Sequence, residues 1–172
     1  MSMNDLHCPN CGTPFVRATS REGIVERLLS RVNVFPFRCQ LCTSQFCAFW
    51  SGARENTQAF DRRQYKRLPT SIEAGFLTDS NLRGTNRITE ISMGGCTLRT
   101  TAELPRGTFL ELTLNPASEP EPITIESGMV SSVRPSSLGI SFLEMSPRDK
   151  QRLTQIVLGL LVSLSPLPTG GM

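Results

Sequence analysis

Two hydrophobic periods divide the chain. After Ser20, placed as an N-cap, the apolar residues Ile24, Val25, Leu28, Leu29 and Val32 share one face of a helix while Glu22, Glu26, Arg27 and Arg31 lie elsewhere. This predicts a short helix in the N-terminal part. From 51 to 59 the sequence turns polar and loses its period, as a linker does. Beyond Pro69 the period becomes two: Ile72, Ala74 and Phe76 alternate with Ser71, Glu73 and Gly75. Further strands are predicted over 87–92, 95–100, 108–114, 123–133 and 138–142, where Leu110, Leu112 and Leu114 alternate with Glu111 and Thr113, and Leu138, Ile140 and Phe142 with Gly139 and Ser141. Six short strands punctuated by Gly, Pro and Asn predict a small antiparallel barrel. Ser146-Pro147-Arg148-Asp149 then supplies an N-cap, a proline at the first helical position and a capping-box acid. Leu153, Ile156, Val157, Leu160, Leu161 and Leu164 continue at helical spacing until Pro166 and Pro168. The expected fold class is mainly β: a six-stranded antiparallel barrel with a C-terminal helix, preceded by a small module containing its own short helix. There is no internal repeat.

The candidate chemistry begins in that small module. Cys8-Pro-Asn-Cys11-Gly and Cys39-Gln-Leu-Cys42 are two knuckles separated by 27 residues. Two residues between thiolates let both sulfurs reach one ion, and two such turns complete a tetrahedral shell. The helix predicted in the spacer returns its ends to one another. Four sulfurs and no open position mark a structural rather than catalytic site, with Zn2+ as the expected ion and an iron–sulfur cluster as the alternative. Phe35, Phe37, Phe46, Phe49 and Trp50 flank the second knuckle and are expected to cover it. Cys47 and Cys96 are expected to be small core residues, Cys47 being also an alternative ligand, and His7 to be solvated.

Composition narrows the function. The chain has 172 residues, 38% hydrophobic and 19% charged, which suits a folded domain of ordinary size with a small appendage. The net charge of +3 is unevenly spread: the first 67 residues hold ten Lys/Arg against five Asp/Glu, the remainder eight against ten. Sixteen of the eighteen basic residues are Arg, whose planar guanidinium pairs bidentately with phosphates and guanine edges. An anionic partner is implied. With His7 as the only histidine, no multi-imidazole site exists, and neither a nucleophile–base pair nor an open metal site can be assembled, so an enzyme is not expected. No stretch resembles a signal peptide, and the longest apolar run, 156–164, is too short for a bilayer span and is interrupted by Gly159 and Ser163. The expectation is a cytoplasmic protein without a membrane partner, whose six cysteines are thiols or metal ligands.

Four of the seven residues 61–67 are basic, and Arg63 and Arg67 have RxxxR spacing immediately before the first barrel strand. About 25 residues later comes Ile88-Thr89-Glu90-Ile91-Ser92-Met93-Gly94-Gly95. Here the sequence resembles the PilZ domain, whose pattern is RxxxR before the first strand and then an Asp/Asn-x-Ser-x-x-Gly turn. The resemblance spans roughly 61–164 and includes the Leu-Gly-Ile-Ser-Phe strand ahead of the capped helix. It implies a bacterial receptor for cyclic di-GMP: Arg63 and Arg67 on guanine and phosphate, Arg62 assisting, Ser92 donating to the ligand, and Gly95 allowing close backbone approach. Glu90 stands where the family has Asp or Asn; it retains an acceptor for guanine donors but displaces it by about one carbon–carbon bond. The N-terminal part is similar to the zinc ribbons that precede some PilZ domains.

The division expected is 1–52 for the zinc-ribbon-like module, 53–60 for a linker, 61–165 for the PilZ domain and 166–172 for a flexible tail. The function expected is an effector that relays cyclic di-GMP level to a protein partner through the zinc module, with residues 61–67 as a mobile hinge in the free protein. Leu158 and Val162 widen the apolar face of the last helix, so a homodimer or a partner contact through that helix is expected. Two alternatives stay open: a zinc-ribbon nucleic-acid-binding regulator, against which Glu22 and Glu26 weigh, and a degenerate PilZ protein-interaction module that binds no nucleotide.

Overall fold

The computed structural model describes residues 6–19, 32–49, 64–78 and 86–164. The helix expected after Ser20, the linker 53–60, Trp50 and the tail 166–172 lie outside the described residues. The chain forms two compact units, Met1–Lys66 and Arg67–Met172.

The first unit contains a three-stranded antiparallel sheet in the order β1-β2-β3, with β1 at Val16–Ala18, β2 at Val34–Cys39 and β3 at Gln45–Phe49. Alternation along β2 buries Phe35, Phe37 and Cys39. Phe37 pairs in register with Phe46, and their rings stack with centroids 5.9 Å apart. The same alternation turns Gln45, Cys47 and Phe49 outward. Two expectations are corrected by that parity: Phe49 is 56% exposed rather than a cover for the cysteines, and Cys47 is a surface thiol rather than a core residue.

The second unit is a closed antiparallel barrel of six strands followed by one helix. The strands are β4 (Leu68–Leu77), β5 (Asn86–Ser92), β6 (Gly95–Arg99), β7 (Phe109–Asn115), β8 (Ile123–Arg134) and β9 (Ser137–Glu144), in the cyclic order β4-β5-β6-β9-β8-β7. Inward positions carry Ile72, Phe76, Ile88, Leu98, Leu112, Leu114, Ile123, Ile125, Val130 and Leu138, all buried. Burying each such side chain contributes about 1.5–3 kcal/mol, so these residues fix the register of every strand. Five interruptions of register, including those between Pro69 and Ile72 and between Ile88 and Glu90, introduce the curvature that closure requires. Pro69, with no N–H to donate, sits at one of them.

Helix α1, Pro147–Leu164, starts as its sequence predicts. The Asp149 amide donates to Ser146 Oγ at 3.1 Å, and Ser146 Oγ donates to Asp149 Oδ2 at 3.0 Å. Leu153, Val157 and Leu161 form the buried stripe, and the helix packs on β8 and β4. Arg152 staples it to the β7–β8 connection through Glu119 Oε2 at 2.8 Å and the carbonyls of Pro122 and Glu121. No helix among the described residues is long and apolar enough to cross a membrane.

Candidate functional site

The two cysteine knuckles have matching backbones. The Cys8 amide donates to the Thr13 carbonyl and the Cys39 amide to the Ser44 carbonyl, both at 2.9 Å. After the second cysteine of each, the chain turns through the left-handed region at Gly12 (φ 70°) and Thr43 (φ 65°). Glycine makes that turn without strain; Thr43, β-branched, adopts it against its preference, which indicates that the surrounding contacts dictate the knuckle. The amides of Leu41 and Cys42 both point at Cys39 Sγ, each at 3.4 Å. Such donors favour a thiolate at that sulfur.

These turns bring Cys8, Cys11, Cys39 and Cys42 together. Cys8 Sγ lies 3.5 Å from Cys42 Sγ, Cys11 Sγ lies 3.6 Å from Cys39 Sγ, and all four sulfurs are within 4.8 Å of one another. An ion holding four thiolates at about 2.3 Å requires sulfur–sulfur edges of about 3.8 Å, so the donor set fits a tetrahedral thiolate site. Acidity is unequal across the cluster. Burial pushes the Cys39 thiol up to about 12 and also raises Cys11. Burial acts in the same sense on Cys42, but hydrogen bonds from Ser44 and Asn10 outweigh it and bring that thiol down to about 6. Of these three thiols Cys42 ionises most readily, and Cys11 and Cys39 are the ones that an incoming cation must strip of their protons. Cys47, exposed on β3, is not in the cluster, and His7 is exposed.

On the barrel, Arg67 directly precedes β4, whose Leu68 pairs with Ile91 of β5. Its Nη1 donates to Glu90 Oε2 at 3.4 Å and to Thr97 Oγ1 at 3.2 Å, while Thr97 Oγ1 donates to the same Glu90 oxygen at 2.9 Å. Glu90 and Thr97 are cross-strand partners in the β5–β6 pair. The side chains of Arg67 and Glu90 retain 27% and 41% exposure, so the pair is open to exchange with a solute. Cys96, buried beneath, has its thiol pushed up to about 12 by burial, with the Arg67 charge acting in the opposite direction.

Ser92 and Gly95 close the hairpin that follows. Ser92 is buried and its Oγ donates to the Gly95 carbonyl at 3.1 Å, so this hydroxyl proton is held within the turn rather than offered outward. A Cβ at Gly95 would strike the Ile140 carbonyl. Glycine is therefore required here by the close approach of β9, the neighbouring strand. Met93, between them, is buried and lies 3.8 Å from Thr154 Oγ1 on α1. Arg62 and Arg63 lie outside the described residues. Thr97 carried no signal of its own in the sequence, since only the β5–β6 register reveals that it faces Glu90.

The family model for the PilZ domain matches residues 61–159. The chain belongs to the PilZ domain family. The solved structures that resemble it at low identity include the following three. YcgR of Escherichia coli in complex with c-di-GMP is 17% identical, with 86% of this chain and 74% of that one covered and a TM-score of 0.51. The K. pneumonia MrkH–c-di-GMP complex is 19% identical over 76% of this chain and 71% of that one, with a TM-score of 0.53. The Bacillus subtilis inhibitor of motility MotI/DgrA is 17% identical over 77% of this chain and 66% of that one, also with a TM-score of 0.53. At these identities the likeness concerns the fold. None of the curated proteins compared matches the chain.

Proposed function

We propose that the chain is a cyclic di-GMP receptor whose ligand is held by Arg62, Arg63 and Arg67 together with Glu90 and the Ser92–Gly95 hairpin. Membership of the PilZ family and the c-di-GMP complexes of YcgR and MrkH support this reading. The observation that carries it is the Arg67 side chain, about a quarter exposed and presented on the barrel by Glu90 and Thr97. Guanidinium pairs with phosphate oxygens or with O6 and N7 of guanine, and a cyclic dinucleotide offers both. Glu90 contributes an acceptor for guanine N–H groups, while Ser92 and Gly95 act by shaping the turn. Calorimetric titration of the full chain with cyclic di-GMP, beside Arg67→Ala, tests the proposal.

The N-terminal module, 1–52, is a structural zinc site of Cys8, Cys11, Cys39 and Cys42, and 53–60 links it to the PilZ domain at 61–165. The fitting sulfur geometry supports zinc. In the cell the receptor passes the nucleotide signal to a protein partner through this module. The exposed Val162 beside the half-buried Leu158 on α1 supports self-association through that helix.

A second reading rests on the same pair. Glu90 already neutralises Arg67, which is what a PilZ domain that has given up nucleotide binding for protein contacts requires. Saturable binding of cyclic di-GMP excludes it.

A further inference from the structure

Residues 64–66, the three between the arginines of the RxxxR motif, are gripped by the second cysteine knuckle. Gln40 follows Cys39 directly and is only 6% exposed. Its Oε1 accepts from the Lys66 amide at 2.7 Å, and its Nε2 donates to the Gln64 carbonyl at 3.3 Å. One side-chain amide thus closes on the N–H of one residue and the C=O of the residue two before it, as a neighbouring β-strand would. Nε2 also donates to the Arg38 carbonyl at 3.3 Å, which fixes its rotamer. Tyr65, enclosed by this grip, lies under Arg38: the guanidinium carbon is 5.3 Å from the ring centroid, and Nη1 donates to the phenol oxygen at 2.8 Å. Residues 64–66 are therefore tied to the second knuckle, within the stretch 61–67 expected to be a mobile hinge.

The grip is built from the metal knuckle. Gln40 occupies the first of the two positions between Cys39 and Cys42; its amide donates to the Phe15 carbonyl at 2.9 Å, and the next two amides donate to Cys39 Sγ. An ion binding Cys39 fixes the backbone from which the Gln40 side chain reaches. Lys66, held by that side chain, is bonded through its peptide to Arg67.

We propose that Gln40 and Arg38 are positioning residues for the nucleotide-binding segment, so that metal occupancy of the four-cysteine site raises affinity for cyclic di-GMP. The proposal rests on the receptor and zinc readings given above. Its physical basis is preorganisation: a segment ordered in advance loses less conformational freedom when the ligand binds, and the saving appears as affinity. The coupling is reciprocal, so the nucleotide tightens metal binding by the same factor.

The test uses the full chain, loaded with one equivalent of zinc or stripped by chelator under reducing conditions, titrated with cyclic di-GMP by calorimetry. The barrel fold is checked in both forms by circular dichroism. The zinc-loaded chain is expected to bind about tenfold more tightly, within the range usual for coupled sites. Gln40→Ala, with zinc still bound, should bind as weakly as the stripped wild type and lose its dependence on zinc. Arg38→Met, outside the knuckle, should weaken the coupling without altering zinc content, which keeps the test decisive if Gln40→Ala fails to retain metal. Zinc transfer to a chromogenic chelator should be slower with saturating nucleotide. Equal affinity in the loaded and stripped chains, or full zinc dependence in both variants, overturns the inference alone. Absence of nucleotide binding by the zinc-loaded chain overturns the receptor reading and the inference with it.

Discussion

Glu90→Asp isolates the residue at which this chain departs from its family's motif. The Glu90 carboxylate is 3.4 Å from Arg67 Nη1 and accepts from Thr97 at 2.9 Å. Removing one methylene withdraws the carboxylate by about 1.5 Å, which is enough to break both contacts on the barrel backbone as it stands. At 3.4 Å two unit charges attract by about 1.2 kcal/mol in bulk water and about 5 kcal/mol at an effective dielectric of 20. Both side chains are a quarter or more exposed, and exposed pairs contribute about 0.2–1 kcal/mol once solvent screening and side-chain entropy are included. A ligand that takes Arg67 away from Glu90 must overcome that smaller amount. The substitution should therefore tighten cyclic di-GMP binding by up to about fivefold, equivalent to about 1 kcal/mol, and barrel stability should change by less than about 1 kcal/mol. Calorimetric titration at two salt concentrations reads the effect, because the wild-type pair weakens as salt rises and the gain from Asp should shrink with it. Weaker binding by Glu90→Asp in a protein of unchanged melting temperature would refute the reasoning, since Glu90 would then be a better ligand group than a competitor for Arg67.

Cys39→Ser removes a fully buried sulfur and should abolish stoichiometric zinc, which supplies on the order of 10 kcal/mol in comparable sites. Amide spectra should lose the β1-β2-β3 signals and keep those of the barrel; retention of one equivalent of zinc would count against the site. Zinc affinity should fall steadily on acidification, because the cation displaces protons from Cys39, with a thiol near 12, throughout, and below about pH 6 must displace one from Cys42 as well. A pH-independent affinity between pH 6 and 8 would contradict this. If α1 carries a self-contact, Val162→Glu should shift the sedimentation of the protein toward monomer without lowering its melting temperature, since Val162 is 51% exposed.

The barrel was legible because its strands are half buried: Leu110, Leu112 and Leu114 on β7, or Leu138 and Ile140 on β9, state their inward face in a period of two. The Ser146 cap and the knuckle cysteines were legible for a similar reason, each motif being local. What was hidden depends on register. Thr97 joins the Arg67–Glu90 contact only because β6 pairs with β5 in one particular alignment, and the β4–β7 pairing that closes the barrel spans residues far apart in the chain. Cys47 was misplaced because aromatic residues on both sides of it gave no parity until Phe37 was seen to face Phe46. Ser92 and Gly95 were identified as motif residues, yet their hydrogen bond and the nearby Ile140 carbonyl give them an internal task in the turn. Gln40 carries no signal of its own between two cysteines. Its grip on residues 64–66 follows from a contact 24–26 residues along the chain, which no local pattern encodes.

Calorimetric titration of the zinc-loaded full chain with cyclic di-GMP, repeated with Arg67→Ala, tests the central claim most directly. The expected result is saturable binding by the wild type and a loss of about tenfold or more in Arg67→Ala, the scale of one bidentate guanidinium contact, with the melting temperature nearly unchanged. Absence of saturable binding by the wild type, or equal affinity in the two proteins, would contradict the assignment of this barrel face as a nucleotide site.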